Sequence, residues 1–270
     1  MIVEGNNFIS HYLKNNIPLC AGKIGVTELN ILTFGYQEYL RHEAEDIAGL
    51  YPYTLESTKQ FTESFYNTLN LVDLIPQWSK QLPKAEEDIF KKFCPNAYKT
   101  NLQHLEPYFF EKPWTDYLAG KKVLVVSPFT ESIEKNYPNL DKIWKGKIKP
   151  NFELKTLKYP FALKINPLAQ LKWDSSDHIY KEYIDLIENI DFDICITGTG
   201  YTSLLLASVA KKMGKAGIHL GGATQILFGI KGQRWRDIKE FQPLFNEHWT
   251  DPLDVEKPEK RSMVEGGCYW

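Results

Sequence analysis

Strands and helices alternate with short connections through the C-terminal half of the chain, and this alternation constrains the fold most. Residues 121–129, "KKVLVVSPF", and residues 191–200, "DFDICITGTG", are apolar runs that predict strands buried on both faces of a parallel sheet. Residues 201–214, "YTSLLLASVAKKMG", predict a helix closed by glycine, and residues 215–222, "KAGIHLGG", predict a third strand. This order predicts right-handed βαβ units, and therefore an α/β fold with a doubly wound, mostly parallel sheet.

The remaining segments add elements to this sheet. Residues 151–162, "NFELKTLKYPFA", alternate like a strand, and residues 175–190, "SSDHIYKEYIDLIENI", begin with helix-capping residues and continue with helical spacing. Residues 17–25 predict an early strand that ends in glycine and leads into a helix from Val26. Apolar residues at three- and four-residue spacing, interrupted by prolines, predict a largely helical insertion over residues 54–118.

The C-terminal tail, residues 243–270, is irregular and charged in its middle but ends in Tyr269 and Trp270. We expect the tail to pack back on the domain, because aromatic side chains left in water would gain nothing from burial. The whole chain, residues 1–270, is then one domain that is long enough to bury a substantial core.

Composition argues against several classes of protein. A formal net charge of −2 differs from the basic excess that nucleic-acid-binding proteins normally carry. The four cysteines lie far apart without metal-ligand spacing, which is typical of a reducing compartment. No apolar run approaches the roughly 20 residues of a membrane span, and the first residues lack the pattern of a signal peptide. We therefore expect a cytoplasmic protein without a transmembrane segment, and the sequence leaves a homo-oligomer open.

In an open α/β sheet, ligands bind at the carboxyl ends of the strands, so the residues after each predicted strand are candidates for a site. The turn "TGTGYTS" places glycines before a helix, where backbone N–H groups favour a phosphate. It lacks the third glycine and the acidic residue of a dinucleotide fingerprint, which argues against NAD. The alternative is a tight turn that needs glycine for its backbone angles. The candidate phosphate-binding residues here are Gly198, Gly200, Tyr201 and Thr202.

Residues 219–235, "HLGGATQILFGIKGQRW", repeat this arrangement one βα unit later. They predict a helix that is opened by glycines and followed by a cationic and aromatic cluster. The glycines would bring amides close to a ligand, and the cluster would neutralise a diphosphate or stack on a base. In the alternative, the cations favour the helix dipole and face water. The candidate binding residues here are Gly221, Gly222, Thr224, Gln225, Lys231, Arg234 and Trp235.

Three residues are candidates for acid–base chemistry. Glu28 follows a glycine-terminated strand in a neutral stretch, where it would accept a proton from a hydroxyl or bind a metal. Its alternative role is to stabilise the N-terminus of its own helix. Glu131 follows the strand at residues 121–129 and is a candidate base, or else an exposed helical glutamate. His219 ends the last strand, where a histidine buried in the core is the common alternative to a catalytic one.

Two stretches resemble the GT-D-type glycosyltransferases, a bacterial family. "GKIGVTELNIL" resembles their N-terminal signature, which commonly reads Arg-x-Gly-Asp-Gly-Glu, and "DICITGTGYTSLLLASVAKKMGKAGIHLGG" is similar to their closing strand, helix and strand. The endings "HLGGATQILFGIKGQRW" and "VEGGCYW" are similar to a GT-D-like group that is often associated with surface-polysaccharide genes. The resemblance covers the chain from about residue 121 onward, and the first third more thinly.

This resemblance implies a Rossmann-like fold and transfer of a sugar from a nucleotide-sugar donor, with a UDP-sugar favoured, to a saccharide or glycolipid acceptor. The arginine of the signature falls on Lys23, its first glycine on Gly25 and its glutamate on Glu28. Its aspartate falls on Val26, so the carboxylate pair associated with Mn²⁺ or Mg²⁺ is incomplete and no metal ligand is assigned. A departing diphosphate would then depend on amides, helix N-termini and fixed cations.

Two other functions remain open. A methyltransferase that uses S-adenosylmethionine also has a glycine-rich βα turn, although the acidic residue that usually follows its second strand is not found here. A non-catalytic protein that binds nucleotide-sugars is the third alternative, because Val26 replaces one carboxylate of the signature. Binding of UDP, UDP-sugars and S-adenosylmethionine distinguishes these functions.

Overall fold

Seven parallel strands form one sheet in the computed structural model, which describes residues 4–161 and 163–270 and, at residue 163, the backbone only. The start of the predicted domain, residues 1–3, and the end of one predicted strand, residue 162, lie outside the described residues. The strand order is β3-β2-β1-β7-β6-β4-β5, with every neighbouring pair parallel. The strands are β1 (Leu19–Ala21), β2 (Leu74–Pro76), β3 (Tyr98–Thr100), β4 (Lys122–Ser127), β5 (Glu153–Lys158), β6 (Ile194–Thr197) and β7 (Ala216–His219).

Helices lie on both faces of this sheet. They are α1 (Gly5–Lys14), α2 (Val26–Phe34), α3 (Leu55–Leu69), α4 (Pro83–Phe93), α5 (Thr130–Asn136), α6 (Leu140–Ile143), α7 (Pro167–Gln170), α8 (Ser176–Glu188), α9 (Thr202–Lys212), α10 (Ala223–Leu227) and α11 (Gln233–Arg236). Alternate strand residues point to opposite faces. Val123 and Val125 of β4 share a core with α1, α5, α6 and α10, whereas Leu124 and Val126 share another with α8 and α9. The predicted doubly wound, Rossmann-like α/β fold is confirmed.

The predicted insertion, residues 54–118, is only partly helical. It contains α3 and α4, but it also contributes β2 and β3, which pair with each other and extend the sheet beyond β1. Each of these strands has three residues, and β2 ends in Pro76. Such short runs carry too little periodicity to distinguish a strand from a loop. The tract is therefore one edge of the sheet as well as a pair of helices.

The helix predicted from the glycines at the start of residues 219–235 does not reach the cationic cluster. Helix α10 has only five residues, and Gly229 then adopts a left-handed φ of 68°. Ile230 forms an isolated parallel β-bridge with Thr250 before α11 begins. Arg234 therefore belongs to a separate short helix and Lys231 precedes that helix, so the dipole of α10 does not explain the position of either cation.

The C-terminal tail packs back on the domain. The Trp270 indole N–H donates to Glu256 O at 3.0 Å, and the backbone N–H of Arg234 donates to Cys268 O at 3.0 Å. The rings of Trp270 and Phe161 have centroids 4.8 Å apart. Because Phe161 follows β5, these contacts bring the tail to the carboxyl edge of the sheet.

The four cysteines carry free thiols, and Cys20, Cys94 and Cys195 are buried. Burial raises the pKa of Cys20 and Cys195 to about 12 and the pKa of Cys94 to about 11, so these thiols stay protonated near neutral pH. In the part of the chain that the structure describes, no helix combines the length and apolar character needed to cross a membrane.

Candidate functional site

A cleft opens at the carboxyl ends of β1, β4, β5, β6 and β7. Its cavity of about 300 Å³ lies at the lower end of the range for small-molecule sites. The chain continues from β1 to β2 on one side of the sheet and from β4 to β5 on the other, so the cleft lies where the connections diverge. The predicted site residues that line it are Lys23, Gly25, Glu28, Gly198, Gly200, Tyr201, His219, Gly221, Gly222, Thr224, Gln225 and Arg234.

A cation and a carboxylate reach the cleft from the junction of β1 and α2. Lys23 Nζ lies 5.4 Å from the centroid of the Trp78 ring. Glu28, in the first turn of α2, folds back over Gly25, where an added Cβ would lie 2.1 Å from Glu28 Oε2. Burial raises the pKa of Glu28 against smaller opposing effects of its own backbone N–H and of Lys23. Burial lowers the pKa of Lys23, against the opposing charges of Glu106 and Glu28.

These shifts suit Glu28 to proton transfer. A carboxylate with a raised pKa is a stronger base than an exposed one, and its pKa lies closer to neutral pH. The position of Glu28 in the first turn of α2 also fits its alternative role at the N-terminus of that helix. The two roles are compatible, because one carboxylate oxygen can face the helix while the other accepts a proton.

His219 ends β7 close to Lys23, since both side chains approach Gly221. It is 6% exposed, and burial, followed by the charge of Lys23, lowers the pKa of its imidazole to about 3. So weak a base suits a hydrogen bond to a ligand better than proton abstraction. Its Nδ1 is buried without a hydrogen-bond partner among the described residues, which leaves this atom for a group that enters the cleft.

The turn between β6 and α9 needs its glycines for packing. Gly200 has a left-handed φ of 65°, and a Cβ at Gly198 would lie 2.8 Å from Gly221 O in the neighbouring turn. The backbone N–H of Tyr201, a predicted phosphate contact, already donates to Ala48 O at 3.0 Å. The alternative reason for glycine, a backbone requirement, is therefore observed here in a turn that also lines the cleft.

The turn between β7 and α10 presents Gly222 to the cleft. The N–H of Gly221 is used by a backbone carbonyl of β6 at 3.2 Å, and the Thr224 hydroxyl donates to the same carbonyl at 3.3 Å. A Cβ on Gly222 would contact Trp235 and Tyr269 at 3.3 Å each. A larger side chain at Gly222 would therefore press on two rings and narrow the cleft.

Arg234 reaches the cleft from α11 and is held there by the tail. Its guanidinium forms an ion pair with Glu265 and lies 5.0 Å from the centroid of the Tyr269 ring. The Tyr269 hydroxyl donates to Glu265 Oε1 at 3.0 Å, which completes a three-residue network. Besides burial, the charge of Arg234 lowers the pKa of Lys23, so both cations act on the same part of the cleft.

Two further buried atoms at the cleft, Gln225 Oε1 and Asp46 Oδ1, have no hydrogen-bond partner within residues 4–161 and 163–270. Gln225 is 1% exposed and donates from Nε2 to Tyr269 O at 2.7 Å, which orients its amide. Buried acceptors normally have a donor from protein, water or ligand. These atoms therefore mark where a ligand with N–H or O–H groups would bind.

Several lining residues were not predicted. They are chiefly Asp46, Trp78, Phe129, Tyr159, Phe161 and Glu265. Asp46 lies in "RHEAED", a charged stretch typical of a solvated helix face, and Trp78 follows a strand that was not predicted. Phe129, Tyr159 and Phe161 lie at the ends of predicted strands, and Tyr269 lies in the aromatic end of the tail, so the sequence carries a signal for these positions but not for Asp46 or Trp78.

Four predicted residues lie outside the cleft: Glu131, Thr202, Lys231 and Trp235. Glu131 pairs with Lys158 at 2.5 Å, and despite burial this hydrogen bond helps to lower its pKa to about 2, so it is a poor base. Thr202 is fully buried, and Trp235 packs behind Gly222. The backbone carbonyl of Lys231 accepts from Gln225 Nε2 at 3.2 Å, and its backbone N–H donates to Thr250 O at 2.7 Å.

Val26, at the position of the signature's aspartate, lines the cleft with an apolar side chain. Over the described ranges, 4–161 and 163–270, no group of three or more His, Cys, Asp or Glu side chains is arranged to hold a metal ion. Comparisons with protein-family models, curated proteins and solved structures find no match for this chain. The chemistry of the cleft is therefore the basis for a function.

Proposed function

We propose that this protein binds a nucleotide-sugar donor in the cleft and transfers the sugar to a hydroxyl of an acceptor. The strongest support is that Lys23, Glu28 and Arg234 meet at one cavity from distant parts of the chain. Glycosyl transfer requires cations and a base together, because negative charge develops on the departing diphosphate while the acceptor hydroxyl loses a proton.

The two cations would hold the diphosphate. Lys23 supplies a point charge, and the guanidinium of Arg234 has five N–H donors, of which Glu265 occupies only part. Partial burial strengthens both interactions relative to water. Gly222 keeps the β7–α10 turn open beside them, so fixed protein charges would stabilise the leaving group.

Glu28 would act as the base. Its carboxylate takes the proton of the acceptor hydroxyl while the hydroxyl oxygen bonds to the anomeric carbon of the sugar. The bond from that carbon to the diphosphate oxygen breaks, and the diphosphate leaves with the electron pair. Because its pKa is raised, Glu28 accepts this proton more readily than an exposed glutamate would.

Aromatic rings provide surfaces for the base and the sugar. Trp78, Phe161 and Tyr269 line the cleft, and each offers a face on which a planar base or the apolar face of a sugar can stack. A UDP-sugar and a saccharide or glycolipid acceptor are the substrates that the resemblance favours.

Isothermal titration calorimetry with UDP, UDP-glucose and UDP-N-acetylglucosamine tests the proposal, with S-adenosylmethionine as the competing ligand. Arg234→Ala should weaken UDP binding by about tenfold or more, because a charge-assisted contact is lost. The control Arg236→Ala removes a cation of the same helix that pairs with Asp251 outside the cleft, and it should leave the affinity unchanged.

Binding of S-adenosylmethionine in place of UDP would contradict the proposal. So would equal UDP affinities of the wild-type protein and Arg234→Ala. Circular dichroism of both arginine variants shows whether the fold is retained.

A further inference from the structure

Asp46 is a buried carboxylate that the proposed reaction does not use. It lies in the π-helical segment Glu43–Ala48, is 2% exposed and lines the cleft. Its Oδ2 accepts hydrogen bonds from His42 Nδ1 at 2.7 Å and from Lys164 Nζ at 2.9 Å. Its Oδ1 is buried and has no hydrogen-bond partner in the part of the chain that the structure describes.

The free oxygen is held in place to receive a donor. Two contacts to Oδ2 fix the orientation of the carboxylate, so Oδ1 cannot turn toward a protein donor without breaking them. A buried carboxylate oxygen without a hydrogen bond lowers the stability of the protein, and it does so more than an unpaired oxygen of a neutral group. A ligand that donates a hydrogen bond at this point would remove that cost.

The charges around Asp46 favour a neutral donor over a cation. Lys164 Nζ lies 2.9 Å from Asp46 Oδ2 and 3.1 Å from Glu45 Oε2, and Arg41 pairs with Glu45 at 3.2 Å. Asp46 and Glu45 thus each already have a cationic partner. A hydroxyl group donates a hydrogen bond without adding charge.

The position of Asp46 favours the sugar over the phosphates. Its polar contacts are a hydrogen bond with His42 and an ion pair with Lys164, whereas the cations proposed for the diphosphate are Lys23 and Arg234. A phosphate beside Asp46 would be repelled by its carboxylate, but a polyol would not. The segment is anchored to the β6–α9 turn, where the Tyr201 N–H donates to Ala48 O.

We propose that Asp46 recognises the sugar of the donor, with Oδ1 accepting a hydrogen bond from one of its hydroxyl groups. This inference rests on the proposed function. A site built to bind a hydroxyl rejects an analogue that lacks it, because the buried acceptor is then left unpaired. Asp46 is therefore a specificity-determining residue.

Calorimetry of Asp46→Asn with UDP, UDP-glucose, UDP-galactose and UDP-N-acetylglucosamine separates sugar recognition from phosphate binding. The UDP-sugar that the wild-type protein prefers should bind about 10- to 100-fold more weakly, because a hydrogen bond to a charged group is lost, with UDP affinity unchanged. The matched control is Glu45→Gln. This neighbouring carboxylate shares Lys164 but does not line the cleft, so neither affinity should change.

The outcomes distinguish this inference from the proposed function. The inference is overturned, and the proposed function stands, if Asp46→Asn weakens the binding of UDP and of the UDP-sugar equally. The same holds if it weakens the binding of neither ligand. A wild-type protein that binds neither UDP nor any UDP-sugar overturns both. If Asp46→Asn does not fold, the test uses the wild-type protein and UDP-sugars that each lack one sugar hydroxyl group. One of these deoxy donors should bind at least about tenfold more weakly than the parent UDP-sugar. Equal affinity for all of them would overturn the inference.

Discussion

At the scale of single residues, burial determines the chemistry of the cleft. The Glu28 carboxyl and the Lys23 ammonium both have their pKa shifted toward the neutral form, because the hydration that each loses outweighs the charges nearby. His219, beside Lys23, is neutral for the same main reason. The cleft thus combines a strengthened base with cations that are incompletely solvated, which are the properties that an anionic leaving group and a proton donor require.

Glu28→Gln should lower the rate of sugar transfer by about 100-fold or more, because the amide cannot take the proton. UDP-sugar affinity should change little, since Lys23 and Arg234, the cations proposed to hold the diphosphate, remain. Wild-type transfer should fall as pH falls through the raised pKa of Glu28, because the carboxylate form is required. Initial rates over an acidic to neutral pH series measure both effects.

The control for this variant is Glu131→Gln, which removes the other predicted base. Glu131 lies outside the cleft and pairs with Lys158, so transfer should continue at the wild-type rate. A fully active Glu28→Gln protein would rule out Glu28 as the base.

His219 should make the protein less stable in acid. Below the ordinary pKa of 6.5 the unfolded chain takes up a proton that the native imidazole, with a pKa of about 3, does not bind. As the pH decreases from 6.5 toward 3, the free energy of unfolding should therefore decrease, by up to about 1.4 kcal/mol per pH unit from this residue. Urea denaturation of wild type and His219→Gln should show this slope in their difference. A difference that is independent of pH would contradict the buried, neutral state.

At the scale of elements, close backbone contacts bring the strand ends together. An added Cβ at Gly217 in β7 would lie 1.9 Å from Ala207 O in α9. The turn after β6 meets the turn after β7 where Gly198 approaches Gly221 O. These contacts fix the distance between sheet and helix and thereby the position from which Gly222 faces the cleft.

Gly217→Ala should lower the free energy of unfolding by more than about 3 kcal/mol, because α9 must move away from the sheet. Gly120→Ala is the control for the loss of a glycine. Gly120 has a φ of 72° and no atom within 4 Å of an added Cβ, so its cost is that of the left-handed backbone, about 1 kcal/mol. Urea denaturation compares the two variants, and equal losses would argue against the close approach of β7 and α9.

Elements with long apolar or periodic runs could be predicted from the sequence. The structure has β4, β6 and α8 where their sequence patterns predict them. Helix α8 also has its predicted cap, since the Ser175 hydroxyl accepts a hydrogen bond from the His178 N–H at 3.2 Å. β2 and β3 were not predicted, because each is a three-residue run inside a tract where helical spacing dominates, whereas the equally short β1 lies in an apolar run that ends in glycine. The strand ends located much of the cleft, since parallel strands share one carboxyl edge. Asp46 could not be predicted, because the Lys164 side chain that pairs with its buried carboxylate lies 118 positions away in the chain.

At the scale of the whole molecule, the C-terminal tail completes the cleft. Glu265 and Tyr269 hold Arg234, and the Tyr269 carbonyl accepts a hydrogen bond from Gln225. Trp270 packs on Phe161 after β5. The last residues of the chain therefore join the segments that follow β5 and β7, and a local change in the tail should reach the site.

Deletion of residues 265–270 should weaken UDP-sugar binding by about tenfold or more, because Arg234 loses its ion pair and the Tyr269 ring is removed. The sheet should persist by circular dichroism, since no strand is deleted. The control is Val255→Ala, which alters a tail residue that is 70% exposed, and it should leave binding unchanged. Full affinity in the deleted protein would show that the tail takes no part in the site.

The most direct test of a single donor site at the strand ends is a crystal structure of the protein soaked with UDP-glucose, UDP-galactose or UDP-N-acetylglucosamine. We predict difference density in the cleft, with the diphosphate between Lys23 and Arg234 and a sugar hydroxyl at Asp46 Oδ1. A nucleotide-sugar bound on another face of the molecule, or with its diphosphate away from both cations, would contradict this.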